Sequence, residues 1–591
     1  MSLFEVAVPE LAVDLLTYES SEELKCGARV IVSVGKNLRT GFVIGKSEKI
    51  LPSEIKIKPI EGIINDDFNS ISDFDIFDLA LWASKVSLCN IGTALKAFLP
   101  QPVITGEKIE PPPKLNEPER KFKEKNYFNP FDSERVNFYI EELNKNERTL
   151  ILFPRKDDAK DFFNSLPDNL KTEALLLPST GGKKLWVSWN LINAKKFRIV
   201  IGSQSAVFAP LKPQKIIIED EANPSYIFHR TPEISARSLA GHRAVFLGAE
   251  LILAGRMPSL KTFLRSKPIE KNFPERKNII FADIYSSVKT EERGIKGSIP
   301  LTFSLLKRTK RELIQGNNVI WILDRLGESA EIFCDNCGQS IHCEKCGNVM
   351  RGEGNGNILF CKVCGSLKQL PEKCPYCGYK FFSGKRPGIE ALEKIAKRFY
   401  KGFNIHIYNK KSLKSDLIKI KGLIISTQRA LELLSDKKIN PSLIAWLDLD
   451  FELNSLEYET RFKVFNMLME SYWKGREFNS ERKVLIQSRH SGMKLGEFLL
   501  RGWSRFIPDE LKERREFLLP PYGFIIEIEC NDKITREKII EVFTASGVFV
   551  MDSGEINMPL TININSLEVI AKILYKNFFK RNLFKIRVRS D

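Results

Sequence analysis

The sequence predicts an α/β multidomain protein with two lobes built on parallel sheets, a metal-binding insertion in the second lobe and a smaller domain at each end. Three observations predict this class. Short β-rich runs alternate with helical stretches in two successive series, and strands separated by helices form parallel sheets. Four closely spaced cysteine pairs interrupt the second series. The chain has 591 residues and a hydrophobic content of 43%, which is enough for several domains with real cores.

The segment between Cys334 and Cys377 carries the most specific motif of the chain. It holds four copies of C-x-x-C followed by glycine. Two sulfurs at this spacing can reach one ion, and eight thiolates supply two closed tetrahedral zinc sites. The glycine tolerates a positive φ, so that the turn can direct backbone N–H groups toward the sulfurs. Closed sites leave no position for a water molecule, and we therefore expect two structural zinc ions. The predicted ligands are Cys334, Cys337, Cys343, Cys346, Cys361, Cys364, Cys374 and Cys377.

Disulfides and iron–sulfur clusters are the alternatives at these cysteines. A disulfide framework is typical of secreted chains, but the segment from Met1 to Leu16 has no basic signal region and carries Glu5, Glu10 and Asp14. No apolar run is long enough to span a bilayer. Eight cysteines in paired turns suit two mononuclear sites better than clusters. The sequence therefore favours zinc, a cytoplasmic location and no membrane partner.

The charge of the chain favours a polyanionic partner. The formal net charge is +17 and the pI is near 9.2. Nucleic acid is the simplest partner for such a charge, although a chain of this length can also carry it for solubility alone. Basic residues concentrate in the stretch Lys307–Arg311 and in the tail from Lys572 to Arg589, where aromatic residues lie between them. Cations beside aromatics suit single-stranded DNA, whereas the alternative is a solvated face of a helix and of an edge strand.

The elements of the N-terminal region are short strands followed by helices. The runs Phe4–Val8, Ala28–Ser33 and Gly41–Gly45 predict strands of a small barrel-like unit, with a turn at Gly35 and Lys36 beside Arg39. Residues 74–99 predict helix. Residues 101–126 are rich in proline and charge and predict a linker without a folded module.

The two series of predicted strands follow this linker. The first series comprises Thr149–Phe153, Ala174–Leu177, Arg198–Gly202, Lys215–Glu219 and Arg243–Leu247. The second series comprises Asn278–Asp283, Asn318–Asp324, Asn404–Tyr408, Gly422–Ser426, Ser442–Asp450 and Lys483–Gln487. Because the cysteine pairs lie between the second and third runs of the second series, they predict an insertion in a lobe. A charged helix and a small αβ unit are expected after residue 490.

Several further motifs stand in a fixed order along the chain. The segments Gly202–Leu211 (GSQSAVFAPL) and Asp220–Tyr226 (DEANPSY) are similar to G-T-R-S-A-L-F-A-P-L and D-E-E-H-D-S-S-Y. With the cysteine insertion, they resemble the primosomal replication-restart family (primosomal protein N′, the PriA family) along nearly the whole chain. The remaining segments that carry the resemblance are Pro258–Leu260, Ser426–Gln428, Leu447–Asp450, Glu510–Glu516 and Pro520–Gly523.

The resemblance implies a fold, a metal arrangement and a substrate. The lobes are expected to be superfamily-2 helicase-like (RecA-like), and the N-terminal domain is expected to bind the 3′ end of a nascent DNA strand. Two zinc ions are implied in a nested arrangement, in which the first two and last two cysteines hold one ion and the middle four hold the other. The family is an ATP-dependent 3′→5′ DNA helicase.

The chain departs from this family where ATP would bind. The family has the phosphate-binding loop G-x-x-G-S-G-K-T, but the segment Asn129–Val136 stands in its place. Asn129, Asp132 and Glu134 replace the glycines that let N–H groups point at phosphates, Arg135 replaces the lysine, and the final valine cannot ligate magnesium. A carboxylate at 4 Å from a phosphate costs about 4 kcal/mol of repulsion at intermediate dielectric. We therefore do not expect ATP as a cofactor.

Other sequence motifs of the ATPase are altered too. Asp220 and Glu221 remain, but Asn223 replaces the family's histidine and Gly255–Met257 replaces S-A-T. The segment Trp473–Glu477 aligns with G-R-A-G-R, so the arginine that would stabilise the transferring phosphate is absent or displaced. Because several separate ATPase motifs are altered, the sequence predicts that ATP hydrolysis has been lost.

Departures at the N-terminal domain concern DNA. The winged-helix module of the family is replaced by the linker, and its Phe-Asp pair that meets the 3′-terminal base appears as Leu16-Thr17. Gly35, Lys36 and Arg39 keep a phosphate-facing turn. After the D-E pair, Tyr226, Phe228, His229 and Arg230 stand where the family has an aromatic-rich loop that couples DNA to the ATPase; here they can also serve as packing between the lobes.

The sequence thus predicts a DNA-binding replication-restart protein that recognises stalled or branched forks without hydrolysing ATP. Replication-restart and helicase-loading proteins are the expected protein partners. One alternative is an active ATP-dependent 3′→5′ DNA helicase with a divergent nucleotide pocket, and another is a zinc-stabilised protein–protein scaffold without DNA affinity. The predicted DNA contacts are Gly35, Lys36, Arg39, Lys307, Arg308, Lys310, Arg311, Lys580 and Arg581.

The expected domain boundaries follow from these motifs. They are an N-terminal DNA-binding domain at 1–105, a linker at 106–128, lobe one at 129–270, the first part of lobe two at 271–330, the double zinc insertion at 331–384, the second part of lobe two at 385–490 and a C-terminal domain at 491–591.

Overall fold

The structure is a computed structural model of the chain, and it confirms the predicted α/β multidomain class with two parallel-sheet lobes. It describes residues 2–9, 11, 15–48, 56–64, 75–109, 120–179, 181–270, 278–284, 301–323, 330–334, 336–337, 339–345, 347, 349–353, 358–361, 365–380, 382–384, 389–409, 412, 417, 421–453, 457–488, 491–552, 559–578 and 584–590. Within these ranges, no helix combines the length and the apolar character needed to cross a membrane.

The N-terminal region is a closed five-stranded barrel followed by helices. The barrel order is β1-β2-β5-β3-β4, and alternate strand residues such as Val30 and Val32 fill its interior. The helices pack on lobe one, where Asp75 accepts hydrogen bonds from the buried Arg243 guanidinium, one of them at 3.0 Å. The elements are β1 (Ser2–Ala7), β2 (Leu16–Ser20), β3 (Arg29–Val34), β4 (Asn37–Lys46), β5 (Lys58–Ile63), α1 (Asp75–Val86), α2 (Ile91–Phe98) and α3 (Gln101–Ile104).

Lobe one is a six-stranded parallel sheet with helices on both faces, in the order β6-β11-β10-β7-β9-β8. Its central strands, such as β7 and β10, are buried on both faces and are mostly continuous apolar runs, as expected for such a sheet. Its elements are β6 (Lys123–Phe128), α4 (Asp132–Leu143), β7 (Thr149–Leu152), α5 (Lys156–Ser165), α6 (Asp168–Thr172), β8 (Ala174–Leu176), α7 (Lys183–Asn193), β9 (Ile199–Gly202), β10 (Lys215–Ile218), α8 (Ala236–Leu247), β11 (Glu250–Gly255) and α9 (Leu260–Ser266).

Two elements of lobe one differ from the prediction. The run Arg243–Leu247 is the last part of helix α8 and not a strand; Ser235 caps this helix and Gly248 ends it with a φ of 64°. The run looked strand-like because apolar Val245 and Phe246 follow one another, but both are more than half exposed. The sheet also begins earlier than expected, because β6 lies inside the predicted linker and pairs with β11. The many charges of β6 suit its position at the edge of the sheet.

Lobe two is a second six-stranded parallel sheet, in the order β12-β22-β21-β13-β20-β19. Every predicted run of the second series overlaps one of its strands. Its elements are β12 (Ile279–Asp283), α10 (Phe303–Ile314), β13 (Val319–Ile322), α11 (Ile389–Phe399), β19 (Ile405–Tyr408), β20 (Leu423–Ser426), β21 (Leu443–Trp446), α12 (Leu449–Leu453), α13 (Thr460–Trp473) and β22 (Lys483–Ser488).

The cysteine segment forms a small sheet inserted between β13 and α11, as predicted. Its five strands have the order β17-β16-β15-β14-β18. They are β14 (Ala330–Cys334), β15 (Arg351–Glu353), β16 (Ile358–Phe360), β17 (Leu367–Gln369) and β18 (Phe382–Gly384).

The C-terminal region begins with two helices and ends in a three-stranded antiparallel sheet of order β24-β23-β25. Its elements are α14 (Ser491–Arg501), α15 (Trp503–Glu516), β23 (Phe524–Cys530), α16 (Lys533–Ala545), β24 (Leu560–Ile564), α17 (Leu567–Asn577) and β25 (Phe584–Arg589).

The two lobes share a hydrophobic core. Ala222, Met257 and Leu260 of lobe one belong to the same buried cluster as Phe465 and Trp473 of lobe two. This shared core holds the carboxyl ends of both parallel sheets close to one another, and a groove lies between them.

Candidate functional sites: the groove between the lobes and the cysteine insertion

The N-terminus of helix α4 forms one wall of the groove. The resemblance places the phosphate-binding loop here, and a helix N-terminus of this kind normally offers its free N–H groups to an anion. In this chain the anion comes from lobe two, because the Ser133 backbone N–H donates to Glu477 Oε1 at 3.1 Å. Asp132, the first residue of the helix, accepts from the Gly475 backbone N–H at 3.0 Å. Carboxylates of the protein therefore occupy both sides of this helix end.

Arg135, at the position of the family's lysine, is turned into lobe one. Its guanidinium is buried and donates to both oxygens of Glu219, with distances of 2.7 to 3.1 Å. Tyr139 also donates to the Glu219 carboxylate. Burial disfavours the charge of Arg135, but Glu219 and Asp132 outweigh that cost and raise the pKa of the guanidinium well above its ordinary value. Arg135 is thus fully used in holding β10 to α4.

Asp132 is held between arginines. Arg256 donates to its Oδ1 at 2.6 Å, and Arg135 donates to the same oxygen at 2.5 Å. Burial opposes ionisation of Asp132, but Arg256, Arg135 and Lys474 outweigh it and lower the pKa of this carboxyl to about 2. Asp132 therefore carries a full negative charge inside the groove at neutral pH, whereas Glu134 is exposed outside it.

A bidentate ion pair crosses the groove from lobe one to lobe two. Arg155 donates to Glu470 Oε1 at 2.7 Å and to Oε2 at 3.1 Å, and the glutamate is buried. Lys474 donates to the same glutamate at 3.0 Å and lies 3.6 Å from Asp158 of lobe one. Burial disfavours the charge of Glu470, but Arg155 and Lys474 outweigh it and lower its pKa well below the usual range. We call the paired charged residues that line the groove the interlobe network; it comprises Asp132, Arg135, Arg155, Glu219, Arg256, Glu470 and Lys474.

The two carboxylates of the Asp-Glu pair after β10 have different hydrogen-bond partners. Glu221 accepts from the Ser259 N–H at 2.6 Å and from Arg237 at 3.0 Å, so its carboxylate is used inside lobe one. Asp220 Oδ2 accepts from Asn223 at 3.0 Å and lies 3.3 Å from Arg256. Its Oδ1 faces no hydrogen-bond donor among the described residues. The pair retained from the family motif is thus mostly structural.

Arg476, the candidate for the family's phosphate-stabilising arginine, is directed away from the groove. Its guanidinium lies 4.0 Å from the centre of the Tyr472 ring and donates to the backbone carbonyls of Ser480 and Arg482. The structure therefore places this charge inside lobe two.

A cavity of about 380 Å³ remains within the groove. Its lining alternates acidic and basic side chains, and those of the interlobe network are already paired with one another. A triphosphate entering here would have to displace internal carboxylates from internal cations. The groove is chemically suited to holding the lobes together.

The cysteine insertion brings four predicted ligands to one point. The sulfurs of Cys334, Cys337, Cys374 and Cys377 all lie within 4.8 Å of one another. Cys334 and Cys377 are separated by 3.5 Å and Cys337 and Cys374 by 3.7 Å. Zinc with four sulfurs at about 2.3 Å requires sulfur–sulfur separations of about 3.8 Å, so the donor set fits one zinc ion. This is the grouping that the resemblance implied.

The turns around these sulfurs have the predicted form. Gly347, Gly365 and Gly378 have φ values of 70°, 75° and 73°. The Tyr379 N–H donates to the Cys377 sulfur and lowers the pKa of that thiol to about 6, which favours the thiolate that binds metal. Cys343 and Cys361 of the second set are buried, but Cys346 and Cys364 lie outside the described residues, so a second ion stays a prediction.

The other predicted DNA contacts lie apart from the groove. Gly35 and Lys36 form the exposed turn between β3 and β4, where Gly35 has a φ of 63°, and Arg39 is exposed beside them. Lys307, Lys310 and Arg311 are exposed on α10, and Arg308 is half-buried there. Lys580 and Arg581 lie outside the described residues.

Two further predicted surfaces are used in packing. Tyr226 is buried, with its hydroxyl 2.6 Å from the Glu219 carbonyl oxygen and 2.9 Å from that of Leu152, and Phe228 stacks on Phe208. In the tail, Arg587 and Arg589 pair with Glu233 of lobe one at 3.1 and 3.4 Å. The first observation favours packing for Tyr226 and Phe228, although inside lobe one rather than between the lobes. The ion pairs of Arg587 and Arg589 match neither prediction for the tail, which was a surface for single-stranded DNA or a solvated face.

Sequence reasoning missed the lobe-two side of the interlobe network. Glu470 and Lys474 lie on or beside α13, about 300 residues from their partners, and no local pattern marks them. It also missed a second basic segment, Lys394–Lys401, although its K-x-x-K-R spacing repeats that of Lys307–Arg311.

Known proteins are similar to this chain over its N-terminal domain and over most of its length. A family model of the PriA 3′ DNA-binding domain matches residues 5–100, which cover the barrel and the first helices. The replication restart protein PriA of Rickettsia typhi is 24% identical over 92% of this chain and 89% of its own length. Those of Bacillus subtilis and Borreliella burgdorferi are 23% and 22% identical over 68% and 66% of this chain. The chain spans 53% and 60% of these two relatives, hence little more than half of their length.

A solved structure, that of the E. coli DExH-box NTPase HrpB, covers 64% of this chain and 40% of its own at 10% identity. Its TM-score of 0.33 is too low to support any conclusion. The domain match lies on the N-terminal barrel, and the full-length similarity to the Rickettsia protein runs through both lobes and the cysteine insertion. The chain is therefore similar to replication restart proteins PriA over most of its length, and its N-terminal domain matches the PriA 3′ DNA-binding domain.

Proposed function

We propose that this protein is a DNA-binding replication-restart factor that recognises stalled or branched forks and works without hydrolysing ATP. Similarity to replication restart proteins PriA and the match to a 3′ DNA-binding domain support DNA as the partner. The net charge of +17 supports binding through phosphates. Replication-restart and helicase-loading proteins are proposed as protein partners on the same ground.

The absence of ATP hydrolysis is supported by one observation above all. The helix end where a phosphate-binding loop is expected receives Glu477 from lobe two and carries Asp132. Helicase lobes use nucleotide to open and close the groove between them. Here ion pairs such as that of Arg155 with Glu470 span that groove, which supports lobes that act as a fixed platform for the N-terminal domain and the zinc insertion.

Zinc is proposed as the resident metal of that insertion, with two ions per chain. The four gathered sulfurs fit one ion, and the spacing of the remaining cysteines supports the second. Bound zinc would supply folding energy to a segment too small to hold a core of its own.

Two measurements test the proposal. Thermal unfolding with millimolar ATP and magnesium should show no shift in Tm, because a ligand that binds the folded state must raise it. An ATPase assay with single-stranded DNA should give the same background as a reaction without protein. ATP-dependent separation of strands would overturn the proposal in favour of an active helicase.

DNA binding is tested separately. Mobility shifts with forked DNA should give an affinity that falls as salt is raised, because phosphate contacts release counterions. If forked DNA did not bind at any salt concentration, the chain would be a zinc-stabilised protein scaffold instead.

A further inference from the structure

Two adjacent helices of lobe two carry the same exposed basic pattern. On α10, Lys307, Lys310 and Arg311 follow the spacing K-x-x-K-R, and on α11 Lys394, Lys397 and Arg398 repeat it, followed by Lys401. All seven side chains are exposed. Residues three and four apart share one face of a helix, so each helix presents its cations on one side. We call these seven residues the basic face.

The two helices form one surface. Their opposite sides belong to a single buried cluster that includes Leu305 and Leu313 of α10 and Leu392 and Ile395 of α11. Directly after α11, the Tyr400 hydroxyl donates to the Leu306 carbonyl of α10 at 3.2 Å. The end of α11, with its cations, therefore abuts the middle of α10, with its own.

Among the side chains that the structure describes, few acidic groups oppose the charges of the basic face. Lys397 pairs with Glu393 at 2.8 Å, and the other six cations have no ion-pair partner among the described side chains. The acidic residue of α10, Glu312, is buried and accepts from Lys483 at 2.8 Å, so it does not neutralise the surface. Like charges at these spacings repel one another, and a surface of this kind gains most from a polyanion.

The nature of the face points to duplex DNA. Binding of single strands relies on aromatic side chains on which bases stack. On these two helices and directly after them, Phe303 is exposed one turn before Lys307, whereas Phe399 is half-buried and Tyr400 is buried. Seven exposed cations beside a single exposed aromatic residue among those described on these helices suit the phosphates of a duplex, read without regard to sequence, better than a row of stacked bases.

We propose that the basic face is a docking site for the sugar–phosphate backbone of a duplex arm. This inference rests on the proposed function, because it assigns one arm of the bound fork to lobe two. It places duplex DNA on a helical surface away from both the groove and the N-terminal barrel, and it makes the contact independent of sequence and of nucleotide.

The test removes the cations of each helix in turn. One variant is Lys307→Gln/Lys310→Gln/Arg311→Gln, and the other is Lys394→Gln/Lys397→Gln/Arg398→Gln. A matched control, Lys160→Gln/Lys533→Gln/Lys538→Gln, removes the same charge from exposed positions on α5 and α16. Binding to a blunt duplex of about 20 base pairs and to an oligothymidylate of equal length is measured at several salt concentrations.

Each basic-face variant should bind the duplex at least about tenfold more weakly, and its salt slope should fall by about 2 to 3, since each lost contact removes about 0.9. The control should keep the wild-type slope, and binding to oligothymidylate should change little. Equal weakening by the control, an unchanged duplex slope, or an equal loss with the single strand would overturn the inference. Retained duplex binding with loss of binding to anionic vesicles would assign the face to a membrane instead.

The outcome separates this inference from the proposed function. If the wild-type chain binds neither fork nor duplex, the proposed function fails. If the wild-type chain binds the fork and both variants do so equally well, only the docking site fails. Near-ultraviolet and far-ultraviolet circular dichroism of each variant confirms that the fold is kept.

Discussion

The groove between the lobes and the basic face are both densely charged, but their charges are arranged in opposite ways. In the groove, Arg155 meets Glu470 and Arg256 meets Asp132 at hydrogen-bond distance. On the basic face, six of seven cations have no ion-pair partner among the described side chains. Charges that satisfy one another hold a structure together, whereas charges left open to solvent remain available to a partner.

The comparison also separates two physical costs. The charges of the groove are buried. Removal of one member of an ion pair therefore leaves the other charge buried without water or a counterion, which costs stability. The cations of the basic face remain hydrated, and their loss should cost the fold almost nothing. Substitutions in the groove should therefore lower the stability of the protein, whereas substitutions on the basic face should weaken DNA binding and leave stability nearly unchanged.

The largest effect is expected for a substitution in the cysteine insertion. This segment relies on bound metal rather than on paired or solvent-exposed charges. Cys374→Ser should lower the zinc content by at least one equivalent and unfold the part of the insertion around that site, because metal binding supplies on the order of 10 kcal/mol to such a segment. Zinc content is measured by elemental analysis, and Cys26→Ser, which changes an exposed cysteine outside the insertion, should keep it. A purified wild-type chain without zinc would contradict the assignment.

The second largest effect, a loss of stability, is expected for substitutions in the interlobe network. Glu470→Ala leaves Arg155 and Lys474 without their buried partner and should destabilise the protein by about 3–5 kcal/mol in calorimetry. Arg155→Ala combined with Glu470→Ala should recover part of this loss, because the double variant buries no unpaired guanidinium. The exposed pair of Arg501 and Glu497 lies at 4.0 Å, and Glu497→Ala should change stability by at most about 1 kcal/mol. Equal losses of stability in Glu470→Ala and Glu497→Ala would mean that the ion pairs of the groove do not hold the lobes together.

The lobes and the insertion could be predicted from the sequence because their signals are local. Parallel strands buried on both faces read as continuous apolar runs, and the cysteine pairs repeat at fixed spacing. The strand β6 was missed because its Lys123, Glu124 and Lys125 resemble a linker, and only pairing with β11 reveals it. The run Arg243–Leu247 was wrong as a strand because its apolar pair faces solvent on a helix.

The interlobe network could not be predicted, because its partners are far apart in the chain. Sequence comparison with the family showed that Arg135 replaces a lysine, but not that Glu219 would bind it. The loss of a phosphate-binding loop was visible, whereas its replacement by Glu477 of the other lobe was not. The basic face could have been predicted in part, since the two K-x-x-K-R segments are plain in the sequence; the insertion between them hid that they are neighbours.

Acid should weaken the groove before it affects the basic face. The pKa of Asp132 is lowered from 3.8 to about 2, so its contribution to stability is full above about pH 4 and is lost as the pH falls toward 2. This contribution is about 2 kcal/mol at neutral pH. Unfolding followed from pH 6 to pH 2 should show it, and Asp132→Asn should flatten the curve in this window. Glu142, whose pKa is also lowered to about 2 by Lys125, Lys145 and Lys215 against its burial, should keep its share in that variant.

The smallest effect on stability is expected at the basic face. Lys307→Gln/Lys310→Gln/Arg311→Gln removes repulsion between neighbouring cations, worth about 0.2–0.5 kcal/mol per pair, and loses the favourable interaction of Arg311 with the end of α10, which is of similar size. The free energy of unfolding should therefore change by less than about 0.5 kcal/mol, with any gain greatest at low salt. Denaturant unfolding measures this change. A loss above about 1 kcal/mol would mean that these cations hold the fold, as Arg155 does, and that the contrast between the two regions is false.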